Sequence, residues 1–126
     1  MKEHISLDDL EIYQLAMGIG QLAWDWVITW NELAQRTVGG QFVRAADSIS
    51  ANIAEGYGRY FYKERKQFSY YSRGSLLETK TWAKKAVDRK LISEQDFNSF
   101  FEKLQTLHHK LNIYIKKLKQ EPPQQE

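Results

Sequence analysis

The fold of this chain is decided by the stretch Gly40–Glu78, which reads GQFVRAADSISANIAEGYGRYFYKERKQFSYYSRGSLLE. In its first half, Phe42, Ile49 and Ile53 recur at the spacing of one helical face. Many of the residues between them are small, and small residues allow neighbouring helices to approach closely. We therefore predict that a helix over Gly40–Gly56 is the central and most enclosed element of the fold.

Two closely spaced glycines, Gly56 and Gly58, are predicted to end this helix. A glycine can adopt the left-handed conformation that closes a helix. The pair is not a phosphate loop, since no strand precedes it and no Gly-Lys-Ser/Thr follows it. Residues 59–62 are expected to turn the chain into a third helix over Lys63–Lys90, which is basic and aromatic at its start.

The remaining sequence predicts a first and a last helix that flank this pair. The first is expected to begin after Ser6, which can cap it, and to reach about Trp30. Residues 31–39 are expected to form a connection with at most a short helical turn. The last helix is expected over about Glu94–Lys119, with Ser93 as its cap.

Helical periodicity indicates how the third and last helices pack. The third helix has one predicted seam, formed by Phe68, Tyr71, Ser75, Thr79, Trp82 and Ala86. The last helix has a seven-residue repeat, typical of a left-handed bundle, formed by Phe97, Phe101, Leu104, His108, Leu111, Ile115 and Leu118. Four helices with short joints predict an all-α, up-down-up-down four-helix bundle. We expect one domain over residues 1–121 and a disordered polar tail over residues 122–126.

The first helix has apolar residues on two sides, and both sides need to be buried. One side carries Leu10, Tyr13, Met17, Trp24 and Val27, and the other carries Ile12, Leu15, Ile19, Leu22, Trp26 and Trp30. One side can face the bundle, and a second subunit is the expected partner of the other. The alternative is a bundle core that is wide enough to cover both sides.

Composition and charge limit the class of protein. The 126 residues contain no cysteine, which excludes a thiolate nucleophile and fits a cytoplasmic location. The sequence predicts no signal peptide and no membrane span. The net charge of +2 is uneven: residues 1–35 carry one lysine against six carboxylates, whereas residues 36–73 carry seven cations against three carboxylates. This distribution favours contacts between subunits or an anionic partner, with a solvated mixed surface as the alternative.

Motifs of catalysis and metal binding are absent from the sequence. None of His4, His108 and His109 lies three residues after a glutamate, as di-iron bundles require. There is no Gly-x-Ser-x-Gly motif. We therefore expect no enzyme activity, no metal and no cofactor.

The first candidate site is a basic and aromatic cluster just after the glycine pair. Its members are Arg59, Tyr60, Tyr62, Lys63, Arg65, Lys66, Tyr70 and Arg73. Cations interleaved with tyrosines suit a phosphate backbone with exposed bases that can stack. The alternative is a solvated helix face without a ligand.

The second candidate is a polar line along the central helix. Arg44, Asn52, Glu55 and Arg59 share one helical face, and Glu78 lies on the next helix. We predict that Arg44 and Glu78 pair across the bundle and that the line forms a structural network between helices. A ligand site at these residues is the alternative.

Residues 41–59 resemble the hallmark of the four-helix-bundle proteins encoded in bacterial 23S rRNA intervening sequences. The match continues through Lys63-Glu64 and Gly74-Ser75 to Glu78 and covers nearly the whole chain. The resemblance implies a four-helix bundle that assembles as a ring-like homopentamer, without an established catalytic activity. The positions it marks as the family signature are Arg44, Asn52, Glu55, Gly56, Gly58, Arg59, Gly74, Ser75 and Glu78.

Taken together, the residues and the resemblance predict a non-enzymatic homo-oligomer that binds structured RNA, in particular rRNA, through its basic surface. The alternative is an oligomeric scaffold for protein partners without a role in nucleic-acid binding. A small-molecule site on the polar line is the third hypothesis.

Overall fold

The computed structural model describes residues 5–120, and helices account for most of them. A 3-10 turn over Leu7–Asp9 precedes four helices, which we number in chain order. Helix α1 spans Glu11–Val27, α3 spans Tyr62–Asp88 and α4 spans Glu94–Gln120. Helix α2 consists of three consecutive segments, Glu32–Ala34, Gln35–Gly39 and Gly40–Tyr57. The predicted tail over residues 122–126 lies outside the described residues.

Each helix packs antiparallel against its neighbours in the chain, and α1 also packs against α4. Contacts at successive positions along a pair of helices show this arrangement. On α3, for example, Arg73 bonds Asn112 of α4 whereas Lys80 bonds Gln105, so residue numbers rise in opposite directions. The predicted all-α, up-down-up-down bundle is therefore confirmed.

Four aromatic rings fill the end of the core near the α1–α2 connection. Phe42 and Phe100 are fully buried and meet edge to face, with ring centroids 5.6 Å apart. Trp26 and Trp30 stack on Phe42 at 6.5 and 6.2 Å. Such pairs contribute roughly 0.5–1.5 kcal/mol each beyond the burial of their area. This cluster joins α1, α2 and α4.

The predicted connection over residues 31–39 is wrong, because α2 begins eight residues before Gly40. The side chain of Asn31 caps it by accepting a hydrogen bond from the backbone N–H of Ala34 at 3.0 Å. A π-helical segment over Gln35–Gly39 follows, and Gly39 has right-handed helical dihedral angles, so it does not break the helix. A Cβ on Gly39 would lie 2.8 Å from Val27 Cγ1, so this glycine allows α2 to approach α1 closely.

The end of α2 falls at the predicted place but has a different cause. No glycine in residues 5–120 has a positive φ, and Gly58 at the helix end has φ −81°, so the predicted left-handed glycine is wrong. Gly56 is instead a point of close contact: a Cβ there would lie 2.8 Å from Phe68 Cβ and 3.3 Å from the Arg65 carbonyl oxygen. The left-handed residue is Lys90, with φ 61°, at the end of α3.

The buried seam of α3 is displaced from the predicted one. Thr79 and Ala86 belong to both the predicted and the observed seam, but Tyr71, which was predicted to be in the seam, is about half exposed. The buried positions are mostly small, and they are Ser69, Ser72, Leu76, Thr79, Ala83 and Ala86. Small side chains are buried because α2 lies very close to α3. The hydroxyl of Ser72 donates to the Ile49 carbonyl oxygen at 2.9 Å inside this contact.

The seam of α4 agrees better with its prediction. Leu104, Leu111, Ile115 and Leu118 are buried as expected. Phe100 and Leu107 are also buried, whereas Phe97, Phe101 and His108 lie at the edge of the core. The predicted cap is confirmed, because the Ser93 hydroxyl accepts a hydrogen bond from the Asp96 backbone N–H at 3.0 Å.

One predicted apolar side of α1 is only partly covered by the bundle. Ile12 and Ile19 of the other side are buried, and so is Val27 of this side, but Met17 and Trp24 of this side are each about half exposed. The bundle core therefore does not cover both sides of this helix completely. None of the helices described over residues 5–120 is long and apolar enough to cross a membrane.

The contact at Gly56 gives a test of the α2–α3 packing. We expect Gly56→Ala to lower the free energy of unfolding by about 1–3 kcal/mol, because the new methyl group would overlap Phe68 and the α3 backbone. Gly18 is the matched control, since a Cβ there meets nothing within 4 Å. Gly18→Ala should stabilise the helix by about 0.5–1 kcal/mol.

Urea unfolding followed by circular dichroism at one fixed protein concentration measures both variants. Equal stability of Gly56→Ala and Gly18→Ala would contradict the close contact.

Candidate nucleic-acid interface

Two of the predicted basic residues stabilise the corner between α2 and α3. Arg59 forms an ion pair with Glu55 at 2.6 Å, and its guanidinium lies 4.9 Å from the centre of the Phe68 ring. Arg65 donates from Nε to the Arg59 carbonyl oxygen at 2.8 Å. The charge of Arg59 is thus partly balanced within the chain, and Arg65 holds the backbone of the turn.

Exposed aromatic and basic residues surround this corner. Tyr60 and Phe61 meet edge to face at 5.1 Å, and both stay substantially exposed. Lys63 is also exposed at the start of α3. Tyr62 lies beside Lys66, whose ammonium is 5.6 Å from the ring centre. Tyr60 therefore has a free surface on which a base could stack.

A row of cations continues from Lys66 along the flank of α3 that faces α4. We call Lys66, Arg73 and Lys80 the cationic strip, and they recur every seven residues. Their spacing places them on one side of the helix, about 10 Å apart along its axis. The Arg73 guanidinium lies 5.0 Å from the centre of the Tyr70 ring. The sequence prediction included Lys66 and Arg73 but missed Lys80, although the seven-residue spacing would have revealed it.

Neutral side chains of α4 hold the two distal cations of the strip. Arg73 donates from Nη1 to Asn112 Oδ1 at 2.8 Å, and Lys80 donates from Nζ to Gln105 Oε1 at 3.0 Å. Neither cation forms an ion pair with a carboxylate of the described residues. Amide oxygens orient a cation without cancelling its charge, so the strip keeps its full positive charge.

His108 of α4 lies between these two bonds, one turn from both Gln105 and Asn112. Its pKa is below the ordinary value of 6.5, first because burial disfavours the charged ring and then because Lys80 and Arg73 repel it. The sequence prediction treated His108 only as a seam residue. Its place beside the strip follows from the α3–α4 register, which the sequence does not show.

The predicted polar network between helices does not form within the chain. Each member instead bonds a residue three or four positions away in the sequence: Arg44 to Gln41 at 3.4 Å, Asn52 to the Ser48 carbonyl at 2.9 Å, Glu55 to Arg59 at 2.6 Å and Glu78 to the Trp82 indole at 3.3 Å. Arg44, Glu55 and Glu78 are exposed. The predicted Arg44–Glu78 pair is therefore wrong, because small apolar residues occupy the α2–α3 contact and leave the polar line on its outer edge.

Clusters of three or more His, Asp or Glu residues that could hold a metal ion do not occur in residues 5–120.

Comparisons with known proteins place this chain among helical bundles of the same kind. The family model described as 23S rRNA-intervening sequence protein matches residues 8–113. A protein of unknown function from the S23 ribosomal protein family of Bacteroides thetaiotaomicron VPI-5482 has a similar structure, with a TM-score of 0.76. It is 17% identical, and the match covers 83% of this chain and 98% of that chain, so the likeness shows a shared fold. The comparison with curated proteins gives no match.

The charge of the strip should be visible in the titration of His108. We expect this histidine to titrate below pH 6.5 in a buffer free of phosphate, since burial and both cations oppose its protonation. Lys80→Gln should raise its pKa, whereas Lys84→Gln, on an exposed position of the same helix, should leave it unchanged. NMR titration of the imidazole resonances measures all three proteins. A midpoint at or above pH 6.5 in the unmodified protein would contradict this electrostatic account.

Proposed function

The chain belongs to the 23S rRNA-intervening sequence protein family, and from this premise we propose that it is a non-enzymatic, homo-oligomeric bundle that binds RNA through the cationic strip. The family description supports rRNA as the RNA in question. The lack of cysteine supports a cytoplasmic location for this role.

The observation that carries this proposal is the row of three cations that form no ion pair with a carboxylate in the part of the chain that the structure describes. Lys66, Arg73 and Lys80 span about 21 Å of helix axis. Cations that face a phosphate backbone bind it by releasing its counterions, and this term is independent of base sequence. Arg73 and Lys80 are already oriented by Asn112 and Gln105, so less side-chain entropy is lost when they bind.

The corner residues add the second element of RNA recognition. Tyr60 is about half exposed beside the start of α3. Stacking of a base on an aromatic ring contributes about 1–3 kcal/mol and tolerates any base. Phosphate contacts along the strip and stacking at Tyr60 together favour RNA with single-stranded segments.

Self-association is the other part of the proposal. Met17, Trp24 and Ile28 form a stripe along α1, and each is 51–53% exposed. Leu33, at the start of α2, is 67% exposed. Burial of such a stripe against another copy would remove apolar surface from water at about 25 cal/mol per Å2. A ring of copies, a pentamer by the family resemblance, would repeat the strip and increase the affinity for a long RNA.

A protein scaffold is the alternative function, and the same stripe on α1 favours it. In that case, Trp24 and Met17 would bind a different protein and the strip would be a solvated surface. We propose no catalytic role for the polar line, since each of its members bonds a residue only three or four positions away in the sequence.

The salt dependence of RNA binding tests the role of the strip. We expect the affinity for a labelled RNA hairpin to fall as the salt concentration rises, with a negative slope of log affinity against log salt concentration. In the triple variant Lys66→Gln/Arg73→Gln/Lys80→Gln this slope should become less negative by about 2, because each lost phosphate contact reduces it by about 0.7–0.9. Lys85→Gln/Lys90→Gln/Lys103→Gln removes the same charge from exposed positions outside the strip. Fluorescence anisotropy across a potassium chloride series measures the slope.

The control triple variant should keep most of the slope of the unmodified protein. Arg59→Gln should change the slope by less than one third of the change in the triple strip variant, because Glu55 already pairs with Arg59. Binding that does not depend on salt, or no binding, would favour the scaffold.

The apolar stripe of α1 makes a separate prediction. We expect Met17→Glu/Trp24→Glu to dissociate the oligomer to monomers, since two carboxylates would then lie in the proposed interface. Thr106→Glu adds a charge to an exposed position of α4 and should leave the oligomer intact. Size-exclusion chromatography with light scattering gives the mass of each. A monomeric unmodified protein at micromolar concentration would contradict self-association.

A further inference from the structure

The register of α3 against α4 places a histidine between two cations, in the surface groove where the two helices meet, which we call the α3–α4 cleft. The Arg73–Asn112 and Lys80–Gln105 bonds fix an antiparallel register. Because the helices are antiparallel, Leu77, four residues after Arg73, lies opposite His108, four residues before Asn112. The imidazole thus lies between the two cations, one helical turn or slightly less from each bond.

The groups around His108 are cationic or neutral. Arg73, Leu77 and Lys80 face it from α3, and Gln105 and Asn112 flank it on α4. The charged groups that act on its pKa are Lys80 and Arg73, and both lower it.

The carboxylate of Glu11 on α1 contacts α4 at Lys110 and not at His108. Its Oε1 lies 3.4 Å from Lys110 Nζ. Positions 108 and 110 are about 200° apart around the helix. Three basic groups, Arg73, Lys80 and His108, therefore meet at this cleft, and neither Arg73 nor Lys80 forms an ion pair with a carboxylate of the described residues.

The donors of this cleft are only partly used. A guanidinium has five N–H donors and an ammonium has three. Arg73 and Lys80 each use one N–H donor in a hydrogen bond to an amide oxygen of α4. The remaining donors can bond the oxygens of a tetrahedral anion. Such charge-assisted bonds are about twice as strong as neutral ones.

We propose that the α3–α4 cleft is a phosphodiester-binding subsite, in which Arg73 and Lys80 hold one backbone phosphate and His108 takes up a proton as the phosphate binds. The inference rests on the proposed function, because it assigns one phosphate of the bound RNA to these three side chains. It adds a regulatory property that the strip by itself does not have, since RNA affinity depends on pH through a single histidine.

The direction of this pH dependence follows from linkage. In the free protein, the two cations and burial keep the His108 pKa low. A phosphate anion between the cations would reverse the local field and raise that pKa. A group whose pKa rises on binding takes up a proton, so affinity increases as pH falls through the raised pKa. The increase ends below the pKa of the free protein, where His108 is protonated in both states.

NMR of the unmodified protein tests the subsite directly. Dimethyl phosphate is the probe, because a phosphodiester keeps one negative charge across this pH range. At constant ionic strength it should raise the titration midpoint of His108 relative to chloride, whereas the resonances of exposed His109 should not respond. An unchanged His108 midpoint at saturating probe would overturn the subsite.

RNA binding by variants tests the coupling. The unmodified protein should bind a labelled RNA hairpin several-fold to tenfold more tightly at about pH 5.5 than at about pH 8, as expected for one histidine that takes up a proton on binding. His108→Gln should remove most of this ratio while keeping binding at pH 8, and His109→Gln, which changes the adjacent exposed histidine, should preserve it. The same pH ratio in both variants would overturn the coupling.

The two measurements separate this inference from the proposed function. RNA binding without a response of His108 to dimethyl phosphate overturns the subsite and leaves the proposed function standing. A response of His108 without RNA binding supports the subsite and overturns the proposed function. If neither occurs, both are overturned.

Discussion

The close contact between α2 and α3 is the constraint on which the rest of the structure depends. At Gly56 the two helices approach so closely that a methyl group would overlap Phe68. Further along, the buried Ser72 hydroxyl bonds the Ile49 carbonyl oxygen across the contact. Only small side chains fit between the helices at this distance, so α3 turns its serines and alanines inward. Its large aromatic and basic residues are placed on the two flanks as a result.

The orientation of α3 about its axis divides the cations of α3 and of the adjoining corner into two groups, which differ in the side chains that they contact. At the corner, Arg59 meets Glu55, and Arg65 bonds the backbone. On the flank toward α4, Arg73 and Lys80 meet the amides of Asn112 and Gln105. A carboxylate partner lowers the net charge that an arginine presents, whereas an amide partner positions it and preserves the charge. The second group is therefore the better anion-binding surface.

The sequence predicted helices well but predicted their faces less reliably. Ser93 acts as the cap that its position indicated, and Phe42 lies at the centre of the core. The connection before Gly40 was wrong because two adjacent glycines usually disfavour a helix, yet Gly39 is held in one by its contact with Val27. Propensity describes an isolated segment, and tertiary contacts overrode it here.

By itself, the sequence determined the number and order of the helices, since these follow from local apolar periodicity, caps and short joints. It also determined that the chain is basic after its first helix. The tertiary structure decided which cations meet a carboxylate and which meet an amide, and that His108 lies between two of the second kind. Those properties depend on the distance and register between helices, and packing fixes both through pairs such as Gly56–Phe68 and Arg73–Asn112 that are far apart in the sequence.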